Sequence, residues 1–367
     1  MRDLIRVEDL SREEIEGVLD LAREMEVLRE MGSDLCKGRI LATMFYEPST
    51  RTRLSFESAM SRLGGSVLGF ADPQATSFVK EETLADTVHM VCTYADLIAI
   101  RHPRAGAARL AAEHSSVPVI NAGDDAHEHP TQTLTDLYTL RQLKGRLSGL
   151  AVGICGDLRY GRAAHSLAYG LAMFGARIVL IAPPGLEMPD EVLWRLTHRH
   201  HAAFECVAAP QDAVADLDVL YVNRLQKERL PADLDPEAVR RIASTYRVNG
   251  ELMARARADC LILHPLPRVD ELARELDDDP RAAYFRQSAN GVPVRMALMS
   301  LLLRRVQRPG FAEKRVATHD IGQGCANPSC VARHEPRVRT LAEPLDAQTG
   351  LFACSYCGRF LTRASET

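Results

Sequence analysis

The sequence predicts an α/β protein, on three observations. Apolar, strand-like runs alternate with amphipathic helical stretches from Ile40 to Leu263. Polar and cationic residues gather just past the carboxyl ends of those runs, where open α/β sheets bind ligands. The strand, loop, helix, strand pattern begins afresh at Leu150, and 367 residues are enough for two domains plus a small module.

The first helix starts at Ser11, where Ser11-Arg12-Glu13-Glu14 fits a capping box, and Ile15, Val18, Leu19, Ala22 and Met25 form its apolar face. Such a start reads neither as a signal peptide nor as a membrane span. A net charge of −4 and 46% hydrophobic content give no sign of a nucleic-acid or membrane surface, so the clustered arginines are assigned to small anionic substrates in a cytoplasmic protein.

Ile40-Leu41-Ala42-Thr43-Met44-Phe45 reads as a buried strand, and Phe56, Ala59, Met60 and Leu63 as the core face of a helix that ends at Gly64-Gly65. Ser49-Thr50-Arg51-Thr52-Arg53 then sits at the strand-to-helix turn. Unpaired N–H groups and partial positive charge at a helix N-terminus, joined by hydroxyls and a guanidinium, make a seat for a phosphate-like dianion. The same Ser and Thr could simply cap the helix, with the arginines solvated. Two further strands weigh toward the ligand site. Leu97-Ile98-Ala99-Ile100, after a helix marked by Leu84, Val88, Val91 and Ala95, ends in Arg101-His102-Pro103. Pro118-Val119-Ile120 leads to His129-Pro130-Thr131-Gln132.

A helix bearing Leu134, Leu137 and Tyr138 crosses into the second domain, where Ala151–Cys155, a helix from Ala163 and Ile178–Ile181 follow. This is not a dinucleotide site, because the glycines do not make G-x-G-x-x-G and Ala182-Pro183-Pro184 supplies no acidic residue for a ribose hydroxyl. Val219–Val222 and Leu261–Leu263 end in Asn223-Arg224-Leu225-Gln226 and His264-Pro265-Leu266-Pro267, and Met296 to Leu303 form a closing apolar helix. His198-Arg199-His200-His201 reads as a solvated helix face more than as a metal site.

With these motifs in their order, residues 1–306 closely resemble the catalytic chains of aspartate carbamoyltransferases. The resemblance implies the transcarbamoylase fold of two parallel-sheet α/β domains. Residues 1–130, completed by a closing helix over 290–306, would bind carbamoyl phosphate and 131–289 would bind aspartate. It further implies transfer of the carbamoyl group to L-aspartate in de novo pyrimidine biosynthesis, without a cofactor in the chemistry, by homotrimers, alone or paired, whose neighbours share sites.

Carried over by motif, Ser49, Thr50, Arg51 and Thr52 hold the phosphate, Thr52, Arg101 and His129 meet the carbonyl oxygen, and Gln132 meets the carbamoyl nitrogen. Arg51, Thr52, Arg101 and His129 are the catalytic set; Arg53 is structural. Ser77 and Lys80 match the loop that a neighbouring subunit lends to the phosphate site, with Lys80 also reaching aspartate. Arg162, Arg224 and Gln226 match the holders of the aspartate carboxylates, a task suited to planar guanidinium forks. The carbonyls of Pro265 and Leu266 receive the attacking amine, and Glu47, with Arg162 and Arg229, matches a closure clasp. Two positions depart from the family: Glu81 replaces a glycine of the loop, and Ala163 replaces a threonine found in some members.

Of nine cysteines, five are scattered singly and read as reduced thiols, whereas Cys325, Cys330, Cys354 and Cys357 form C-x4-C, 23 residues, C-x2-C. That spacing fits a closed, structural zinc site in a small β-rich module over 323–367, reached by a linker over 307–322; two disulfides are the alternative. The module resembles the zinc domain of the enzyme family's separate regulatory chain, without the nucleotide-binding domain that precedes it there. It is expected to serve subunit assembly and to leave carbamoyl transfer largely untouched. The competing functions are a transcarbamoylase for an ornithine-type acceptor and a non-catalytic, zinc-stapled scaffold.

Overall fold

The computed structural model describes residues 3–71, 81–226, 235–307, 318–320, 322, 324–336, 338–346 and 349–361. They fall into two compact units, Met1–Thr131 with Val292–Thr367, and Gln132–Gly291.

The first unit opens with α1 (Arg12–Met31). Its capping box forms as expected: the Ser11 hydroxyl accepts from Glu14 N, and the Glu14 carboxylate accepts from Ser11 N. Four strands follow, β1 (Ile40–Phe45), β2 (Ser66–Phe70), β3 (Leu97–His102) and β4 (Val119–Asp124), with α2 (Thr50–Arg62), α3 (Leu84–Val91) and α4 (Ala107–His114) between them. The sheet is parallel throughout, in the order β2-β1-β3-β4. Parallel sheets are covered on both faces, which is why β1, β3 and β4 are near-continuous apolar runs and bury almost every residue. The chain turns from one side of β1 to the other between β2 and β3, so the switch point lies between β1 and β3. Their register pairs Phe45 with Arg101.

α5 (Pro130–Lys144) carries the chain into the second unit. Its first residue is Pro130, so His-Pro-Thr-Gln is itself a helix start: proline needs no N–H partner in the first turn. The second sheet is also parallel, in the order β7-β6-β5-β8-β9, built from β5 (Ala151–Cys155), β6 (Arg177–Ile181), β7 (Phe204–Val207), β8 (Val219–Val222) and β9 (Leu261–Leu263). α6 (Arg162–Met173), α7 (Asp190–Trp194), α8 (Pro236–Thr245) and α9 (Gly250–Ala254) connect them. The switch point here lies between β5 and β8, and Asn223 N donates to Cys155 O at 2.7 Å across it. Gly156 occupies φ +117° there, and a Cβ would stand 2.4 Å from Asn223 O, so only glycine fits. α10 (Tyr284–Leu302) runs back into the first unit.

A small antiparallel sheet follows, β10 (His319–Asp320), β11 (Leu341–Asp346), β12 (Leu351–Cys354) and β13 (Phe360–Leu361), in sequential order, with Cys325 and Cys330 between β10 and β11, Cys354 ending β12 and Cys357 in the turn after it. This module shares a core with the first unit: Cys325, Cys330, Val331, Ala342, Tyr356 and Leu361 pack in one cluster with Ile98, Ala105 and Ala108. Ala105 N donates to Ser329 O and Val331 N to Ala105 O, both at 3.0 Å. Gly106, at φ +85°, lets the two backbones meet, since a Cβ would lie 2.5 Å from Tyr356 Cβ.

Candidate active site

The switch point of the first sheet gathers the residues expected to hold the phosphate. Ser49 is the N-cap of α2, yet its side chain makes no cap hydrogen bond, so the first-turn N–H groups are not consumed by it. Thr50, Arg51 and Thr52 form that first turn, with Arg51 exposed and Thr52 half-buried. Arg53 pairs with Glu57 along the helix at 3.5 Å. From β3, Arg101 lies beside this turn, and Tyr46 N donates to Arg101 O at 2.9 Å. Glu47 meets Arg101 at 3.3 Å, with the arginine side chain only 11% exposed. Within this unit Glu47 thus orients Arg101; its expected partner Arg229, like Ser77 and Lys80, lies outside the described residues. Glu81 adopts φ +62°, a left-handed conformation natural to glycine and strained for glutamate.

Buried polar groups brace the loops. His102 Nδ1 accepts from Arg104 N at 3.0 Å; burial, aided by the Arg104 charge, pushes its pKa down to about 3 and keeps the ring neutral. Asp124 accepts from Gly106 N, Asn121 Nδ2 and Glu128 N and faces His127 Nδ1 at 2.9 Å, fixing the turn that leads to buried His129. Burial would lower the pKa of His127, but Asp124 holds it above the ordinary value. Arg295 of α10 donates to Ser55 and Thr131 hydroxyls and lies over the Phe56 ring at 4.9 Å, tying α2 to the start of α5.

In the second unit, Arg162 opens α6 after β5, while Arg224 and Gln226 follow β8; all three are half-buried at the β5–β8 switch point. Ala163 is buried behind Arg162. Pro265 and Leu266 follow β9 in a turn where Leu266 stands at φ +54°. That conformation is held from inside: Leu266 N donates to His264 Nδ1 at 2.7 Å, and His264 Nε2 meets Glu271 at 2.9 Å. An Nδ1 that accepts leaves the proton on Nε2, so His264 donates to the carboxylate. Burial would raise the Glu271 pKa, but hydrogen bonds from His264 and from Val269 N hold it below the usual range.

Sγ atoms of Cys325, Cys330, Cys354 and Cys357 all lie within 4.8 Å of one another, with Cys325–Cys357 at 3.5 Å and Cys330–Cys354 at 3.8 Å. A tetrahedron of Zn–S bonds of about 2.3 Å has edges of about 3.8 Å. The cluster therefore fits the metal and not two disulfides. Among the described residues it is the only such group; in the His198–His201 tract, His198 instead stacks on Trp194 at 4.7 Å and is exposed.

Sequence reasoning missed several supporting residues. Arg295 was visible as the cation in an otherwise apolar stretch of α10, and Asp136 as the acid one turn beyond Gln132. The bracing roles of His102 and Asp124 carried no signal: their partners, Arg104 N for the first and Asn121, His127 and Glu128 for the second, are near in sequence, but only the folded turn points them at one another.

Comparison with known proteins agrees with this geometry. Residues 2–142 match the carbamoyl-P binding domain of aspartate/ornithine carbamoyltransferase and residues 148–302 its Asp/Orn binding domain. The aspartate carbamoyltransferase catalytic subunit of Methanopyrus kandleri is 54% identical over 304 residues, 82% of this chain and 97% of that protein. That of Clostridium botulinum is 48% identical over 303 residues, 82% of this chain and 98% of its own. Among solved structures, the catalytic subunit of M. jannaschii aspartate transcarbamoylase superimposes with a TM-score of 0.77 at 46% identity, covering 83% of this chain and 98% of its own. The Trypanosoma cruzi enzyme in complex with N-(phosphonacetyl)-L-aspartate gives 0.77 at 38%, covering 82% and 95%. The cysteine module lies beyond residue 302, outside both family matches. The chain therefore belongs to the aspartate/ornithine carbamoyltransferase family.

Proposed function

We infer that this protein is an aspartate carbamoyltransferase, transferring the carbamoyl group of carbamoyl phosphate to L-aspartate to give N-carbamoyl-L-aspartate and phosphate. The observation that carries this reading is that a hydroxyl-rich helix start beside Arg101 occupies one switch point while Arg162, Arg224 and Gln226 occupy the other. One set suits a phosphate and a carbonyl oxygen, the other two carboxylates. A solved relative from T. cruzi holds carbamoyl phosphate and aspartate together.

The reaction needs an amine to attack a weakly electrophilic carbonyl while charge builds on its oxygen and a dianion leaves. Ser49, Thr50, Arg51 and Thr52 hold the phosphate, and Arg51 offsets its charge as it departs. Arg101, Thr52 and His129 donate to the carbonyl oxygen, with Glu47 holding Arg101 in place. Gln132 fixes the carbamoyl nitrogen, and Arg162, Arg224 and Gln226 take the aspartate carboxylates while the carbonyls of Pro265 and Leu266 accept from its amine. His129 acts here as a hydrogen-bond donor, not as a base.

The acceptor is aspartate, because cationic Arg224 answers a carboxylate, and because His264-Pro265-Leu266-Pro267 carries Pro265 where ornithine enzymes typically have the cysteine of a His-Cys-Leu-Pro turn. We further propose homotrimers that share sites through Ser77 and Lys80, a role in de novo pyrimidine biosynthesis, and structural zinc on the four cysteines. N-(Phosphonacetyl)-L-aspartate joins the two ligand chemistries in one molecule. Titrating it against the analogue built on ornithine tests the reading, which requires tight binding of the first and a loss of at least a hundredfold for the second; the opposite ranking would sink it.

A further inference from the structure

Within the second unit, a chain of buried polar groups connects Gln132 to the Pro265-Leu266 turn. Asp136, fully buried one turn along α5, accepts from Gln132 Nε2 at 2.7 Å and from Gln287 Nε2 at 2.6 Å on one carboxylate oxygen. Its other oxygen accepts from the Tyr221 hydroxyl at 3.0 Å. Gln287 Oε1 accepts in turn from His264 N at 2.9 Å, and His264 Nδ1 accepts from Leu266 N. Tyr221, Gln287 and His264 are each at most 1% exposed.

Chemistry decides which way Gln132 faces. A carboxylate can only accept, so Asp136 must take the amide N–H of Gln132, and the amide oxygen of Gln132 is left as the free-facing pole of that side chain. Burial and the neighbouring Asp136 charge both raise the Tyr221 pKa far above its usual value, so the phenol stays protonated and donates. Each of these hydrogen bonds is thereby given a direction, and a glutamine amide cannot turn without setting its oxygen against the Asp136 carboxylate, acceptor against acceptor.

We propose that Asp136 is a positioning residue for donor specificity: it holds Gln132 with its amide oxygen toward the carbamoyl NH2, so that carbamoyl phosphate is selected over acyl phosphates that lack that donor. This rests on the reading of Gln132 as the contact to the carbamoyl nitrogen. The backing through Gln287 and His264 makes the same carboxylate a rigid link to the turn that receives the attacking amine.

Acetyl phosphate is the probe, because a methyl group replaces the NH2 while the carbonyl and phosphate are unchanged. The quantity measured is the ratio of its dissociation constant to that of carbamoyl phosphate. Asp136→Ala frees the Gln132 amide to turn, and the ratio should fall roughly tenfold, the size of one lost hydrogen bond. Asp136→Asn should retain it, since Oδ1 still accepts from both glutamines while Nδ2 faces the Tyr221 oxygen. A variant that weakens both phosphates by the same factor has only a structural defect, and that outcome overturns the proposal. Should Asp136→Ala fail to fold, Tyr221→Phe removes one anchor of the carboxylate near-isosterically; a ratio lowered a few-fold supports the proposal and an unchanged ratio counts against it. Gln132→Met separates the two levels: an unaltered ratio there refutes the Gln132 assignment itself, whereas loss in Gln132→Met with none in Asp136→Ala refutes only the role of Asp136.

Discussion

Glu335 of the cysteine module accepts a hydrogen bond from the backbone N–H of Leu84, the first residue of α3, at 3.1 Å, and its other oxygen meets Arg104 at 3.5 Å. One buried carboxylate thus caps α3 and holds the segment that follows Arg101. Arg6–Glu343 at 3.1 Å and Tyr356–Glu113 at 2.9 Å add further ties. Spacing alone suggests a detachable module; these contacts favour one whose folding supports the carbamoyl phosphate domain.

Metal removal should therefore act beyond the tail. Metal binding in comparable small sites contributes on the order of 10 kcal/mol. Chelation or Cys354→Ser is expected to unfold the module and, with the shared core opened, to lower the melting temperature of the first unit and weaken carbamoyl phosphate binding. Glu335→Ala should keep its metal and lose about 1–2 kcal/mol of stability. Calorimetry with metal analysis checks both, and unchanged melting of a metal-free protein would restore the detachable picture.

Acid sensitivity is expected from His102. Its folded pKa, about 3, lies below the unfolded value near 6.5, so between these the unfolded chain binds the extra proton. Stability should fall as pH drops from about 6.5 toward 3, by on the order of a few kcal/mol, because the unfolded imidazole gains a proton that the folded ring, buried with its Nδ1 bonded to Arg104 N, does not take up. Denaturant melts across this window should flatten in His102→Asn; an equal slope in both proteins would assign the effect elsewhere.

Arg224→Ala should leave an aspartate carboxylate without its charge-assisted partner, at a cost of roughly 1.5–3 kcal/mol in kcat/KM for aspartate. Binding of carbamoyl phosphate alone, measured by titration, should survive. Loss of that binding as well would remove Arg224 from the second-substrate pocket.

If Ser77 and Lys80 serve a neighbouring subunit, inactive Lys80→Ala and inactive Arg51→Ala chains should recover part of the activity when mixed, because some interfaces then carry an intact site. Verified mixed trimers that stay inactive would confine the site to one chain.

Most strands of both sheets were legible in the sequence because parallel strands are buried on both faces and show as unbroken apolar runs, as in Ala151–Cys155, whereas the edge strands β2 and β7, which bury no residue fully, were not read. Ser49 to Thr52, Arg101 and Arg224 were legible for a related reason: ligand groups in such sheets follow strand ends, and the strand ends were plain. The start of α5 at Pro130 was less so, since a proline after histidine reads equally as a turn. Neither the pairing of Glu47 with Arg101 nor the docking of the cysteine module could be read, because both join segments far apart in sequence through surfaces with no local pattern. Asp136 stands between: its spacing from Gln132 was visible, but Tyr221 and Gln287 come from other elements.

The most direct test of the account is a turnover assay with carbamoyl phosphate and competing amine acceptors on the full chain. The account predicts N-carbamoyl-L-aspartate and stoichiometric phosphate with L-aspartate, and no product above background with L-ornithine. Carbamoylation of ornithine in preference to aspartate, or no transfer to either by a folded, metal-loaded protein, would contradict it.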